Sequence, residues 1–462
     1  MTVTGHNRIE RYPTRRAAHA AGRQTRKVAP RRTLGTLATS DRDPVAHLRE
    51  QNADRLPELV PLRMARMLQD PFAFYRGTAG LMALDLADSP SSGLPVIACG
   101  DAHLSNFGIY ATPERRLTFD LNDFDEAAAA PWEWDLKRLV TSAVIGGRHA
   151  GYAAAETERA AREAVAVYAA GLKELAALSP AARYFMHTGK AKARGWLDKT
   201  SRTAMKGAVE SARKRTAERA VRRTTERGPD GRLRFVETPP TMTHPSGAVV
   251  EAMTDIVERV LSSMSVDIAV VLRQYEPLDL VRRVVGVGSV GTRCYLHLMG
   301  GADDDVMLLQ VKEAGESVLV RYGRVEQPPD IARGIAAAGN GLRVVALQRV
   351  LQGVSDPYLG HVQVAGRDYY LRQFHDMKGS IDLDSLDAAA FRQYVAACAS
   401  ILARAHSQSP TASKIVGYIG NGAALTDAIT EWAYAYADQS RQDFDALRAA
   451  ADDGRVPRAD QP

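Results

Sequence analysis

The chain has 462 residues, enough for two or three packed units, and 45% of its residues are apolar while 25% are charged. This is the usage of ordinary soluble proteins, and it excludes a collagen-like or mostly disordered chain. The formal net charge is +6. The excess of basic residues lies before Leu34 and between Lys190 and Arg234. Because neither stretch has the interleaved aromatic residues of a protein that binds single-stranded nucleic acid, we expect no nucleic-acid partner.

No segment approaches the roughly 18 to 20 apolar residues that a membrane helix needs, and the N-terminus lacks the apolar run of a secretory signal. We therefore expect a cytoplasmic protein without a membrane span. The three cysteines, Cys99, Cys294 and Cys398, have neither the pairing of a disulfide framework nor the spacing of a zinc site. We expect them to be buried thiols.

The predicted elements divide the chain into four parts. Residues 1–34 are a disordered basic tail. Residues 35–265 are a large, mainly helical catalytic lobe with a basic helical insertion over about 150–235. Residues 266–376 contain apolar strands and form a small β-rich lobe, and helices in 377–462 complete the large lobe. This order predicts an α+β protein with two lobes.

The first motif whose side chains could take part in catalysis follows an apolar strand that ends at Cys99. Gly100-Asp101-Ala102-His103-Leu104-Ser105-Asn106 places a carboxylate and a carboxamide five residues apart on one loop. In protein kinases, the Asp that accepts the proton of the substrate hydroxyl is followed five positions later by an Asn that binds a metal ion. Asp101 is therefore predicted as the catalytic base and Asn106 as a metal ligand, while His103 is expected to orient the loop.

The second motif lies at the end of the next strand and contains four acidic residues, in Asp120-Leu121-Asn122-Asp123-Phe124-Asp125-Glu126. Acids this close repel one another unless they hold a cation, and oxygen ligands favour Mg²⁺ or Mn²⁺ over zinc. The alternative is a set of exposed turn acids. The loop and these acids resemble those of aminoglycoside phosphotransferases, where the metal-binding Asp precedes a loop-anchoring Asp-Leu by twelve residues. Asp135-Leu136 has that spacing from Asp123. This favours Asp123 over Asp120 as the metal-binding aspartate, and Asp125 is predicted as a further metal ligand.

The third motif is Gly286-Val287-Gly288-Ser289-Val290-Gly291, which is weak by itself. A strand follows it, whereas a dinucleotide-binding loop opens a helix. Strand, glycine loop and strand form the hairpin that covers the ATP phosphates in kinases, where a lysine follows on the next strand. Lys312 ends an apolar run at that place. Gly286, Gly288, Ser289, Gly291 and Lys312 are therefore predicted to bind ATP.

Two features depart from an ordinary kinase. Kinases carry the glycine loop and the lysine before the catalytic loop, whereas here both follow Asp123 by well over a hundred residues. We therefore predict a bilobal, protein-kinase-like fold that is circularly permuted, with its hinge near residues 374–376. The glutamate that pairs with the lysine in kinases is not apparent, because the helix near residues 341–352 has no acid. Glu313 and Glu316 are the remaining candidates.

Longer runs carry a resemblance to a known family. Residues 70–77, 99–108 and 122–135, together with residues 285–293, 310–314 and 372–380, resemble a bacterial family catalogued as a domain of unknown function, number 2252. The resemblance spans about residues 43–441. It implies a kinase-like fold, and it implies no substrate because the family has no settled one.

These patterns predict an ATP- and Mg²⁺-dependent phosphotransferase, with Mn²⁺ as the other metal, that acts on an unidentified hydroxyl-bearing small molecule or protein. The glycine loop and Lys312 hold the triphosphate, Asp123 and Asn106 bind the metal, and Asp101 takes the proton. Two alternatives stay open: a nucleotide-binding pseudokinase that regulates a partner, and a metal-dependent phosphohydrolase that uses only the acids. The acceptor, the oligomeric state and AMP transfer in place of phosphoryl transfer also stay open.

Overall fold

The computed structural model describes residues 13–38, 41–186, 207, 209–210, 217–254, 256–284, 286–374 and 379–459. In these ranges the protein has a mixed α+β fold, with helices at both ends of the chain and most strands between them. The predicted α+β class is confirmed. No helix in the described ranges is long and apolar enough to cross a membrane.

The helices lie on both sides of the strand-rich segment and also within it. In chain order they are α1 (Arg15–Val28), α2 (Pro44–Ala53), α3 (Val60–Met67), α4 (Pro71–Arg76), α5 (Ala79–Asp88), α6 (Trp132–His149), α7 (Ala154–Ala176), α8 (Pro180–Tyr184), α9 (Ala217–Thr224), α10 (Ala248–Thr254), α11 (Ile256–Leu261), α12 (Val266–Leu272), α13 (Val318–Arg321), α14 (Pro329–Leu351), α15 (Ala388–Ser407), α16 (Ala412–Ile419) and α17 (Ala423–Asp452). Several begin with a proline in the first turn, where the missing N–H breaks no helical bond.

The strands form one large sheet and three small ones. In chain order they are β1 (Pro95–Ala98), β2 (Phe107–Ala111), β3 (Leu117–Leu121), β4 (Ala128–Pro131), β5 (Thr225–Arg227), β6 (Leu233–Phe235), β7 (Met242–Thr243), β8 (Glu276–Arg283), β9 (Cys294–Gly300), β10 (Val306–Glu313), β11 (Gly360–Val364), β12 (Arg367–Gln373) and β13 (Gly379–Ser380). The six-stranded sheet has the order β11-β12-β10-β9-β8-β7, and every pairing in it is antiparallel.

One apolar core joins the helices from the two ends of the chain. α7 packs along α15, and α17 packs against α6. Trp132 of α6 stacks on Tyr168 of α7, and Leu402 and Trp432 from the C-terminal helices are buried in the same cluster. The helices after β13 therefore complete the lobe that the first helices form. The three cysteines are buried and free, as predicted.

The N-terminal segment differs from the predicted disordered tail over residues 1–34. Residues Arg15–Val28 form α1, which packs on α16. The contact is close because Gly22 of α1 faces Gly417 of α16, and a Cβ on either would meet the backbone of the other helix. Arg26 also donates hydrogen bonds to the carbonyls of Gly417 and Tyr418. The tail prediction is wrong for residues 13–34, and residues 1–12 lie outside the described ranges.

The basic helical insertion predicted over about 150–235 is also wrong in its first part. α7 belongs to the core, since Ala160, Ala164 and Tyr168 on one of its faces are fully buried. The end of the predicted insertion forms the β5–β6 hairpin instead of a helix. Residues 187–206, 208 and 211–216, which carry much of the basic charge, lie outside the described ranges.

The six-stranded sheet is the centre of the small lobe. β8 and β9 form a hairpin around the glycine-rich loop, β10 follows, and α14 connects β10 to β11. α11 and α12 cover one face of the sheet, where Ile256 and Leu272 pack with Leu309 and Leu371. Because these helices bury their apolar sides on this sheet and β7 pairs with β8, the lobe begins before the predicted boundary at residue 266.

α6 carries a lysine in the middle of the core. The side chain of Lys137 is fully buried, and its Nζ has no hydrogen-bond partner among the described residues. The ammonium lies 4.6 Å from the centre of the Trp432 ring. Burial lowers the pKa of Lys137 to about 8, although the charge of Glu133 opposes this shift. The charged amine is therefore destabilising in the folded protein.

We expect Lys137→Met to stabilise the protein at pH 7. The pKa of Lys137 is lower in the folded than in the unfolded chain, so the cost of the buried charge is complete below about pH 8 and falls as the pH rises towards 10.5. At roughly 1.4 kcal/mol for each pKa unit, the gain at pH 7 is about 3–4 kcal/mol. Thermal unfolding of both proteins at pH 7 and pH 9.5 tests this, and a gain that does not shrink at the higher pH would contradict it.

Candidate functional site

Most of the predicted site residues line one cleft between the helical lobe and the six-stranded sheet. They are Asp101, Asn106, Asp123, Asp125, Gly286, Gly288 and Ser289. Lys312 lies beneath the cleft wall, where its Nζ contacts Asp125. Gly291 is not among the lining residues, because it lies against the aliphatic part of Arg55. Motifs more than 150 residues apart in the chain thus meet at one place.

The loop that carries Asp101 is held by a carboxylate on α6. Asp135 accepts hydrogen bonds from the backbone N–H groups of Cys99 at 2.7 Å and Gly100 at 3.0 Å. His406 reaches the same carboxylate at 3.1 Å, and its other ring nitrogen bonds the hydroxyl of Tyr168. Asp135 therefore anchors the loop, as its spacing from Asp123 predicts. His406 supports the loop through its contact with the Asp135 carboxylate.

Position 100 requires glycine because two loops approach each other closely there. Its φ is +81°, and a Cβ at this position would lie 2.2 Å from the carbonyl oxygen of Glu126. Any larger residue would push the Asp101 loop away from the acid run. The sequence Cys99-Gly100-Asp101 therefore places the carboxylate against the second motif.

Asp101 and Asn106 hold one another within the loop. The Asn106 side-chain nitrogen donates to the backbone carbonyl of Asp101 at 2.7 Å. Arg138 of α6 donates through Nε to Oδ1 of Asp101 at 2.9 Å, and its Nη2 lies 2.8 Å from the same oxygen. Burial raises the pKa of Asp101, and Arg138 opposes the rise. The second carboxylate oxygen, Oδ2, lies 3.6 Å from His103 Nε2.

The acids of the second motif separate into different roles. Asp120 is buried away from the cleft, where it accepts from the N–H of Gly353 at 2.8 Å. Asp123 lines the cleft with about a third of its side chain exposed (36%). Burial and the neighbouring Asp125 raise the pKa of Asp123. The geometry therefore favours Asp123 over Asp120 as the acid open to a ligand, in agreement with the spacing argument.

Asp125 is the acidic partner of Lys312. The Lys312 Nζ donates to one of its oxygens at 2.5 Å, and the Tyr370 hydroxyl donates to the other at 2.7 Å. The lysine ammonium is also 4.0 Å from Asp123. Burial alone would raise the pKa of Asp125, but Lys312 and Tyr370 hold it below its usual value. Asp123 and Asp125 in turn hold the pKa of Lys312 above its usual value, although burial opposes this.

Neither glutamate proposed as the partner of Lys312 has that role. Glu313 pairs with Arg293 and Arg367 on the opposite side of β10, because neighbouring residues of a strand point to opposite faces. Glu316 lines the cleft without an ion pair to Lys312. α14, the long helix that follows β10 and the short α13, carries Arg343 over the stretch from residue 341 to 351, which has no acid. Its guanidinium donates to the carbonyls of Asp125, Ala127 and Gly315.

The glycine-rich loop is docked on the helical lobe. Arg55 and Arg66 donate to the carbonyls of Val290 and Gly286, and the N–H of Leu56 donates to the carbonyl of Gly291 at 2.8 Å. Val287 and Val290 at the loop tip are buried against apolar residues of the segment from α2 to α4. The loop therefore closes one end of the cleft.

The donors around the cleft suit a hard cation that is shared with phosphate. Asp123 and Asn106 supply one carboxylate and one carboxamide, and Asp125 is engaged by Lys312. Within the described ranges, no three acidic, histidine or cysteine side chains form a complete metal cage. Mg²⁺ usually binds one or two carboxylates and completes its shell with waters and substrate phosphates. The residues therefore fit Mg²⁺ bound together with a nucleotide.

The comparisons with known proteins identify a family. The model of a family described as uncharacterized proteins conserved in bacteria, DUF2252, matches residues 55–450. The chain belongs to the DUF2252 family. This confirms the family predicted from the sequence runs, and the match includes every residue of the cleft named above. A search of curated proteins and a search of solved structures found no match.

Among the residues of this DUF2252 site that were not identified from the sequence are Arg138, Arg343 and Tyr370. Arg138 follows the anchoring Asp135 by three positions on α6, so the helical spacing of the two was a usable signal. Arg343 and Tyr370 are 218 and 245 residues from Asp125. No local pattern indicates contacts over such separations.

We expect Asp135→Ala to destabilise the protein by about 3–5 kcal/mol, because the change leaves buried N–H groups and His406 without an acceptor. Asp438 offers a matched control, since it forms an exposed ion pair with Arg148. Asp438→Ala should change stability by less than about 1 kcal/mol. Urea unfolding of the three proteins measures both effects, and equal losses would show that Asp135 is not an anchor.

Proposed function

We propose that this protein is an ATP- and Mg²⁺-dependent phosphotransferase with a circularly permuted, kinase-like fold. One observation carries the proposal. Lys312, on the strand that follows the glycine-loop hairpin, forms a buried ion pair with Asp125, two residues from Asp123. The glycine loop, Asp101 and Asn106 line the cleft beside this pair. These are the groups that a kinase uses on ATP, its metal and its acceptor.

The topology of the small lobe supports the kinase-like part. In protein kinases the glycine-rich loop precedes the third strand, which carries the lysine, and a helix follows that strand. Here β8 and β9 enclose the glycine loop, β10 carries Lys312, and the short helix α13 and the long helix α14 follow. The pairing is continuous from β8 through β9 to β10.

The order of the segments supports the permutation. The Asp101 loop and the acid run precede the small lobe, and α15 to α17 return to the core of the helical lobe. A permuted chain keeps the same contacts while its termini lie at a different surface site, which compact domains tolerate. The hinge expected near residues 374–376 falls partly on residues 375–378, which lie outside the described ranges.

Each residue has one role in the proposed reaction. Lys312 would hold phosphate oxygens of ATP, and Asp123 and Asn106 would hold Mg²⁺, which neutralises charge on the transferring phosphoryl group. Asp101 would accept the proton of the acceptor hydroxyl at Oδ2, since Arg138 binds Oδ1. Arg138 thus positions the base. Asp135 keeps the loop rigid, and the docked glycine loop excludes water from one end of the cleft.

Asp125 supplies the carboxylate that kinases take from the helix after the lysine strand. The absence of an acid from residues 341–351 of α14 is therefore no argument against activity. The pseudokinase alternative has a separate motive, because the ion pair with Arg138 makes Asp101 a weaker base. It predicts ATP binding without turnover, which the following variants distinguish.

We expect different effects from the two cleft aspartates. Asp123→Asn removes a charged metal ligand and should weaken Mg²⁺–ATP binding by about tenfold or more. Asp101→Asn should leave binding within about threefold and slow ADP formation by about 10²- to 10⁴-fold, the usual contribution of a general base. Calorimetry and an ADP-release assay measure these effects. An equal loss of binding in both variants would contradict the roles, and turnover unaffected by Asp101→Asn would exclude it as the base.

We expect Lys312→Ala to lower ATP affinity or turnover by about one to three orders of magnitude, since a charged contact to phosphate is lost. Lys312→Arg should not restore it fully, because the planar fork differs from an ammonium in reach. The alanine also leaves the buried Asp125 unpaired, so the double variant Lys312→Met with Asp125→Asn serves as a folding control. Unchanged affinity and turnover in folded variants would favour the metal-dependent phosphohydrolase.

A further inference from the structure

Three arginines from the segment before the catalytic loop line the same cleft. They are Arg55, Arg63 and Arg76, which come from the stretch between α2 and the end of α4. The guanidinium of Arg55 donates to the carbonyl of Val290, and that of Arg63 donates to Asn52 Oδ1 and the carbonyl of Gly77. Within the described ranges none of the three forms an ion pair with a carboxylate, and the Nε of each is buried without a partner. We call these three residues the arginine cluster.

The arginine cluster is costly without a counterion. Arg63 is only 1% exposed. Burial and the charge of Arg55 lower the pKa of Arg63, and burial lowers the pKa of Arg55 to about 10. A buried charge normally has an opposite charge beside it, because neutral partners compensate only part of the lost hydration. An anion in the cleft would supply the missing charge and accept from the unused N–H groups.

Arg76 is the member that is best placed to contact a ligand. No hydrogen bond among the described residues uses its guanidinium, and its side chain is only partly buried in the cleft wall. Its charge acts on Asp101 and on His103, whereas Lys312 acts on Asp123 and Asp125. Arg138, which binds Asp101, also donates to the backbone carbonyl of the preceding residue, Tyr75. Arg76 therefore lies on the base side of the cleft and Lys312 on the metal side.

We propose that the arginine cluster binds an anionic group of the phosphoryl acceptor, so that the acceptor is a hydroxyl compound that also carries a phosphate or a carboxylate. This inference rests on the proposed phosphotransferase function. Transfer requires the acceptor hydroxyl next to Asp101 and the ATP phosphates next to Lys312 and the metal. Arg76, whose charge acts on Asp101, is then the member of the arginine cluster nearest the acceptor. The cluster attracts an anion and repels a polycation such as an aminoglycoside.

The test measures anion binding directly in the full chain. Calorimetric titrations at constant ionic strength use inorganic phosphate and malonate as the two probes, with and without saturating Mg²⁺ and a non-hydrolysable ATP analogue. The variant is Arg76→Gln, because the Arg76 side chain makes no hydrogen bond to any residue that the structure describes. Arg162→Gln is the control of equal charge change, since Arg162 lies on the surface and pairs with Asp427.

We expect at least one probe to bind the wild type both with and without the nucleotide analogue, and the stronger probe then identifies phosphate or carboxylate. Arg76→Gln should weaken this binding by about ten- to a hundredfold, the effect of losing a charged hydrogen bond. Arg162→Gln should change it by less than about twofold. Arg76→Gln should leave the affinity for the nucleotide analogue within about threefold.

Three results would overturn the inference. If neither probe binds the wild type, the protein has no anion site of this kind. Equal weakening by Arg76→Gln and Arg162→Gln would show that the binding comes from the overall charge of the protein and not from a specific site. Displacement of the probe by the nucleotide analogue would assign the arginine cluster to the phosphates of ATP. If instead the wild type binds a probe through Arg76 but not the Mg²⁺–nucleotide, the proposed phosphotransferase itself fails, and the acceptor assignment fails with it.

Discussion

The buried ion pair between Lys312 and Asp125 is the contact on which the arrangement of the cleft depends. It joins the central strand β10 of the small lobe to the acid run of the helical lobe, and the Tyr370 hydroxyl completes the coordination of the carboxylate. Such a pair adds little net stability, because desolvation offsets the attraction, but loss of one partner costs about 3–5 kcal/mol. The pair therefore acts mainly to select one relative position of the two motifs. Arg343 reinforces it through the Asp125 backbone.

The cleft is lined by groups of both charges. Asp101, Asp123, Asp125 and Glu126 line it together with the arginine cluster. Lys312 pairs with Asp125 and Arg138 pairs with Asp101, whereas the arginines of the cluster have no carboxylate of their own among the described residues. The acids suit the metal of a metal–nucleotide complex and the arginines suit an anionic acceptor, so both proposals follow from the same distribution of charge.

The anchoring residues explain how the loops keep this geometry. Asp135 holds the Asp101 loop through two backbone N–H groups, and the glycine loop is held by Arg55, Arg66 and the buried valines at its tip. Both anchors belong to the helical lobe, while the lysine belongs to the sheet. The glycine loop at the tip of the β8–β9 hairpin therefore ties the sheet to the helical lobe at a second place.

The sequence by itself determined the family and the α+β class. Its spacing and its resemblance to phosphotransferases also predicted that Asp101 and Asn106 share a loop and that Asp135 holds this loop, because these relations lie within one loop or between neighbouring elements. The sequence left the catalytic and metal-binding roles, including the choice of Asp123, as predictions. It was wrong about the tail at α1, whose order comes from the glycine contact with α16 almost 400 residues away. Only the tertiary structure decided the partner of Lys312, the docking of the glycine loop and the arginine cluster. These depend on which distant residues meet in a buried, low-dielectric cleft, and a linear pattern of charges contains no information about that meeting.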